Sequence, residues 1–247
     1  MKTTEEIKQI AEKLKLPLLK DYETHVKPTK AFEKNLLTLL KKQLAEKEQN
    51  SVERRIRKAK FPFIKTLDTF KFDKKRLPDL KEEDVRELAK CHYIEQKRNV
   101  IAVGNPGTGK THICISLGIE AIKNKVNVLF KKAANLVNEM SRAQQENELD
   151  KYLKKIHKFP VLIIDEMGYL SFNARDSSLL FQIIAQRYET KSTIITTNLH
   201  FSKWGDFLED KKLITAIVDR LSHKTKFLNM FGDSYRVMEA ESFVEKD

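Results

Sequence analysis

Residues 104–111 read Gly-Asn-Pro-Gly-Thr-Gly-Lys-Thr and stand between an apolar run, Asn99-Val100-Ile101-Ala102-Val103, and a stretch with helical patterning. A loop that closes backbone N–H groups onto a helix N-terminus concentrates positive potential, and small residues let that backbone approach phosphate oxygens. The sequence therefore predicts a strand, a phosphate-binding loop and a helix in succession. Gly104, Asn105, Pro106, Gly107, Thr108, Gly109, Lys110 and Thr111, with His112 following, are the expected nucleotide contacts. Lys110 would reach the β- and γ-phosphates, and the Thr111 hydroxyl would ligate Mg²⁺. ATP and GTP both satisfy these residues.

About fifty residues further on, Val161-Leu162-Ile163-Ile164 ends in Asp165-Glu166. Four consecutive branched apolar residues suit a strand covered on both faces, so the acidic pair emerges at its carboxyl edge. Asp165 would hold the magnesium, mostly through water, while Glu166 polarises the water that attacks the γ-phosphate. A third run, Ser192-Thr193-Ile194-Ile195-Thr196-Thr197, ends in Asn198. Carboxyl ends of parallel strands line one crevice, so Asn198 is expected to join Lys110 and Glu166 there and orient the attacking water. Thr197 is a second candidate for that task.

Strands expected near 99–104, 126–131, 161–165, 192–198 and 226–230 alternate with helices near 110–124, 175–189 and 212–222. Buried strands alternating with amphipathic helices specify a three-layer α/β fold with a parallel central sheet. Ser141 to Asp150 reads as a polar junction between helices or a surface loop.

Charge divides the chain unevenly. Residues 1–75 hold 20 Lys/Arg against 11 Asp/Glu, a net of +9, and the remaining residues hold 27 against 24. A segment this basic points to polyanions, because releasing condensed counterions drives Lys and Arg onto phosphate backbones. The densest cluster, Arg54, Arg55, Arg57, Lys58 and Lys60, is expected on one short helix, with Asn50 as its N-cap and Glu53 completing a capping box. Before it, Phe32, Leu36, Leu37, Leu39, Leu40 and Leu44 form an apolar stripe that needs a partner. Residues 1–60 are therefore read as a basic, all-helical DNA-binding domain, 61–80 as a linker and 81–247 as a nucleotide-binding domain. Double-stranded DNA is favoured over an anionic membrane, since no Trp- or Phe-rich face accompanies the charge. Phe61-Pro62-Phe63 and Phe70-Lys71-Phe72 either line the base end of the nucleotide site or staple the linker to the core, the second being favoured. Cys91 and Cys114 show neither disulfide nor metal-ligand spacing. No apolar run approaches the roughly 20 residues of a membrane span, and the first residues do not read as a signal peptide, so a cytoplasmic location is expected.

Several of these stretches together resemble the IstB transposition-helper ATPases: Phe61-Pro62, Lys65 to Asp68, the loop from Gly104 to His112, Leu162 to Leu170, Leu180-Phe181-Gln182, Arg187-Tyr188-Glu189, Trp204, Asp219-Arg220-Leu221 and Gly232 to Arg236. That family is similar to the DnaC helicase loaders, and both are AAA+ ATPases. The resemblance implies ATP as the nucleotide and Arg220 as an arginine finger acting on a neighbouring subunit. It also implies Arg236 as a second sensor on the subunit's own γ-phosphate. A homo-oligomeric ring or helix on target DNA, and a transposase as partner, follow from it; a helicase-loading role is the alternative. Too few residues follow the last expected strand for a full helical lid, which fits this branch of the AAA+ proteins.

Overall fold

The computed structural model describes residues 2–238, so the last nine residues of the expected ATPase region lie outside the described residues. The chain divides into two compact units, residues 1–54 and 55–247, the division falling within one helix.

In the first unit, helices α1 (Lys2–Leu14), α2 (Pro17–Lys20), α3 (Tyr22–His25) and the start of α4 (Lys30–Ala59) surround a small core. Ile7, Ile10, Leu14, Tyr22 and Leu40 are buried in it, with Leu19, Leu36, Leu37 and Leu44 packed around them. The apolar stripe of α4 thus finds its partner in α1. Phe32 and Leu39 remain exposed. Tyr22 Oη and Thr4 Oγ1 both donate to Glu33 Oε1, at 2.7 and 2.9 Å, which fixes α4 against α1 and α3. α4 runs unbroken through Asn50, so that residue is no N-cap. Its sequence holds no Gly or Pro and is rich in Lys, Glu, Gln, Leu and Arg, so propensity carries the helix past a residue that would otherwise start a new one.

The second unit is built on strands β1 (Asn99–Val103), β2 (Val128–Lys132), β3 (Val161–Met167), β4 (Ser192–Thr197) and β5 (Thr225–Asn229). Every pairing is parallel, in the order β2-β3-β4-β1-β5. Between and beside the strands lie α5 (Glu82–Ala89), α6 (His92–Glu95), α7 (Lys110–Lys123), α8 (Ala133–Gln145), α9 (Leu149–His157), α10 (Ala174–Arg187) and α11 (Lys211–Ser222). The polar junction separates α8 from α9. Alternation along β3 assigns the two faces of the sheet. Leu162 and Ile164 join Ile101, Leu129 and Ile195 in one core with residues of α8, α9, α10 and α11, whereas Ile163 meets Gly118 of α7 and lies beside Phe61. Helices therefore cover both faces, and the central strands β1, β3 and β4 are buried along almost their whole length. Caps set two helix starts: the Asn173 side chain accepts from Asp176 N–H, and that of Asp210 from Lys212 and Leu213 N–H. Among the described residues no helix is long and apolar enough to cross a membrane.

Candidate active site

β1, β3 and β4 end side by side, Val103 pairing with Thr197 and Thr197 with Met167. Gly104, Gly168 and Asn198 follow directly from those ends, so three separate sequence motifs converge on one edge of the sheet.

The loop after β1 turns through two glycines in the left-handed region, Gly107 at φ +78° and Gly109 at φ +93°. A side chain there would be strained, and a methyl on Gly109 would also press on the Phe70 ring. Thr108 is buried and closes the loop by donating to Asn105 O at 2.8 Å. Lys110 begins α7, and its Nζ donates to Gly104 O and Asn105 O, both at 2.7 Å. Burial lowers its pKa to about 8; nearby Arg236 adds to the shift, while Cys114 and Asp165 oppose it. An ammonium held this way has little water to give up and is poised for an anion.

Asp165 is buried and receives two hydroxyls, Thr111 Oγ1 at 2.8 Å and Thr196 Oγ1 at 2.5 Å. Burial raises its pKa; these two hydrogen bonds oppose the rise and Glu166 reinforces it. The Thr111 hydroxyl donates to the Asp165 carboxylate at 2.8 Å, a pair of oxygens that suits a magnesium ion held directly or through water. The residues thus fit a triphosphate with its magnesium.

Glu166, the last residue but one of β3, adopts a left-handed conformation, φ +62°, where the β3–β4 register shifts between Ile164 and Met167. Its N–H donates to Thr196 Oγ1 at 2.8 Å, so one hydroxyl fixes both acidic residues. The Glu166 carboxylate is turned to Lys132 at the end of β2, 2.9 Å away. Asn198 Oδ1 is buried, has no hydrogen-bond partner among the described residues and lies beside Gly168. Thr197 Oγ1 is instead absorbed in the turn, accepting from Leu199 N–H.

The segment after β5 folds back onto the loop. Met230 N–H donates to Val103 O at 2.7 Å, Asn105 Nδ2 to Gly232 O at 3.0 Å, and Tyr235 N–H to Gly107 O at 3.0 Å. Any side chain on Gly104 would collide with the Met230 carbonyl. This docking carries Arg236 near Lys110. His112 faces the other way, its Nε2 lying 2.9 Å from Thr66 O and its ring edge-on to Phe70. Of the aromatic pairs before the domain, Phe61 packs on Phe130 and Gly118, and Phe70 on Gly109 and His112.

Arg220 sits apart from this cluster. Its guanidinium lies over the Phe181 ring at 5.0 Å and the Tyr188 ring at 6.0 Å and donates to Ala216 O at 2.9 Å. Arg54, Arg57 and Lys58 are exposed on the last turns of α4 and Lys60 just beyond it, with Arg55 half-buried.

Two residues of the site, Thr196 and Lys132, have no sequence signature. Thr196 is one of three β-branched hydroxyl residues in β4, and Lys132 resembles any polar strand end. Knowing that β2 lies beside β3, with Lys132 opposite Asp165, would have revealed the second.

The fold is that of the AAA+ P-loop proteins. It matches the DnaC helicase loader with a TM-score of 0.55 over 67% of this chain and 96% of that one, at 24% identity. It matches DnaI with a TM-score of 0.57 over 72% and 93%, at 17% identity. In sequence the chain is 41% identical over 216 residues to the insertion sequence IS5376 ATP-binding protein of Geobacillus stearothermophilus, covering 87% of this chain and 85% of that protein. It is also 41% identical over 193 residues to the IS21 ATP-binding protein of Pseudomonas aeruginosa, covering 78% and 72%. The family model described as IstB-like ATP binding protein matches residues 11–242, and with phosphate loop, acidic pair and Asn198 on one sheet edge, the chain belongs to that family of insertion-sequence ATP-binding proteins.

Proposed function

We propose that this protein is a magnesium-dependent ATPase that assembles on double-stranded DNA and, in its ATP-bound assembly, recruits or activates a transposase. The observation that carries the reading is the meeting of Lys110, the Thr111–Asp165 pair, Glu166 and Asn198 at one edge of a parallel sheet. Thr111 and Asp165 would hold the magnesium that accompanies the nucleotide, which would supply charge neutralisation at the phosphates. Lys110 exchanges its two loop carbonyls for phosphate oxygens. Asn198, with an unsatisfied amide oxygen, holds the attacking water, and Glu166 takes its proton. To do so the carboxylate must leave Lys132, so the ion pair holds the base back until the pocket is complete.

Completion comes from a second copy. Arg220 is held by two rings and a backbone carbonyl, and among the described residues it forms no ion pair that would tie it to its own subunit. A guanidinium without a carboxylate partner of its own suits a transition state that spreads charge over three oxygens, and such fingers contribute about 10³ to 10⁵ in rate. Arg236, resting near Lys110, serves the subunit's own γ-phosphate. Arg54, Arg55, Arg57, Lys58 and Lys60 supply the phosphate contacts to DNA.

Sedimentation of the E166Q variant tests this reading. With ATP and duplex DNA it should form a long-lived assembly with ATP unhydrolysed. Monomers whose DNA affinity is the same with and without ATP would overturn it.

A further inference from the structure

Two arginines stand in the last turns of α10 and α11, helices packed on one another, and are held in opposite ways. Arg187 is 1% exposed and donates to Thr193 Oγ1 and to the carbonyls of Phe159, Pro160 and Ser192. Its guanidinium is used up by the fold. Arg220 is half-buried and gives one N–H, from Nη1, to Ala216 O at 2.9 Å. What else holds it, among the described residues, is a pair of aromatic faces, Phe181 at 5.0 Å and Tyr188 at 6.0 Å. A ring attracts a guanidinium through its quadrupole and takes up none of its N–H donors in conventional hydrogen bonds. Such a grip fixes where the charge sits and leaves its donors for an anion.

The rings are themselves anchored to the helix that carries Arg220. Phe181 lies on α10 and Tyr188 about two turns later, directly after its last residue, so both rings come to the same side. Tyr188 Oη is hydrogen-bonded to His223 Nδ1 at 3.0 Å, the two rings standing 5.6 Å apart. His223 directly follows α11, so this bond joins the end of that helix to the ring that covers its arginine. Lys224 Nζ, 3.4 Å from Glu189 Oε1, ties the same two segments a second time. The bracket is therefore fixed to α11 at two points beyond the helix packing itself.

We infer that Phe181 and Tyr188 are positioning residues for hydrolysis in the neighbouring subunit: they hold the Arg220 guanidinium in one place so that it meets the neighbour's γ-phosphate already ordered. An arginine side chain has several rotatable bonds, and ordering it in advance removes that cost from the barrier. Arg220 supplies the charge and the rings set where it stands. A carboxylate could hold the guanidinium as firmly, but it would occupy the donors and cancel the charge that the transition state needs. Leucine in place of either ring keeps apolar volume against the helix and loses the attraction for the cation.

The inference rests on Arg220 acting across the subunit boundary, and its test separates the two. ATP turnover of the full-length protein on duplex DNA is measured for F181L, Y188L and the double variant, alone and mixed equally with E166Q or R220A. Each single variant should lose a few-fold in turnover and the double variant about tenfold, with ATP affinity within about twofold of wild type. Mixed with E166Q, whose own finger is intact, the double variant should turn over several-fold faster than the sum of its parts. Mixed with R220A it should gain nothing. A variant whose own pocket is damaged does the reverse, because its intact finger serves the R220A sites. Rescue by R220A, rescue by neither partner, or turnover at the parental rate would overturn the inference. If the double variant fails to fold, the single variants decide by the same comparison. Failure of E166Q and R220A to rescue one another would instead refute the finger in trans, and the bracket with it.

Discussion

Replacing Thr196 by Val keeps the shape of a fully buried strand residue and deletes a single hydroxyl. That hydroxyl donates to Asp165 at 2.5 Å and accepts from Glu166 N–H at 2.8 Å. Its loss removes one hydrogen bond to a charged group and leaves a peptide N–H without its acceptor. A charged bond contributes about 1.5–3 kcal/mol and an unsatisfied donor costs about 1–3 kcal/mol; because both partners relax together, a total of about 2–4 kcal/mol is expected. In a unit of this size that lowers the melting midpoint by roughly 5–15 °C. Trp204, the chain's single tryptophan and fully buried, reports the unfolding directly. T196S should recover most of the loss, since it restores the hydroxyl. T196V also frees the Asp165 carboxylate to rotate away from Thr111, so magnesium-dependent turnover should fall by about tenfold or more. A T196V protein within about 0.5 kcal/mol of wild type and turning over ATP at the parental rate would refute the claim that this hydroxyl organises the acidic pair.

Two further outcomes follow from the charges around the loop. Burial lowers the Lys110 pKa to about 8 in the free protein, and the triphosphate binds its protonated form. ATP affinity should therefore be constant below that value and fall by up to about tenfold per pH unit above it, a profile that K110A lacks; calorimetric titration from pH 6.5 to 9.5 measures it. The Lys132–Glu166 pair is about half-exposed on both sides and so restrains the carboxylate by about 1 kcal/mol at most. K132M should raise basal hydrolysis by up to about fivefold in a phosphate-release assay, and a fall in basal rate would show that Lys132 assists the reaction instead of restraining it.

How far the sequence alone discloses this site depends on whether a residue acts through its neighbours along the chain or through the sheet. The phosphate loop is local: glycines, Lys110 and Thr111 occupy one turn, and the apolar run before it fixes its orientation. Asp165, Glu166 and Asn198 are legible because each ends a strand whose direction is set by parallel pairing. Thr196 and Lys132 are not, because their partners lie 31 and 34 residues away along the chain and depend on strand order. The left-handed turn at Glu166 also escapes pattern reading, since a Glu in that conformation is set by the register shift in the sheet and not by its own preference. In the first unit the amphipathic stripe is plain but the length of α4 is not. Asn50 has the side chain of a cap, and only the unbroken run of helix-forming residues on either side of it keeps the helix going.

The central claim is that each active site takes its base from one subunit and its finger from the next, and mixing two inactive variants tests it most directly. E166Q keeps Arg220 and lacks the base; R220A keeps the base and lacks the finger. Each alone should hydrolyse ATP at a small fraction of the wild-type rate with DNA present, whereas an equal mixture should recover a substantial part of that rate, because R220A sites then receive a guanidinium from E166Q neighbours. A mixture no more active than its parts, or R220A turning over ATP like wild type at every protein concentration, would contradict it.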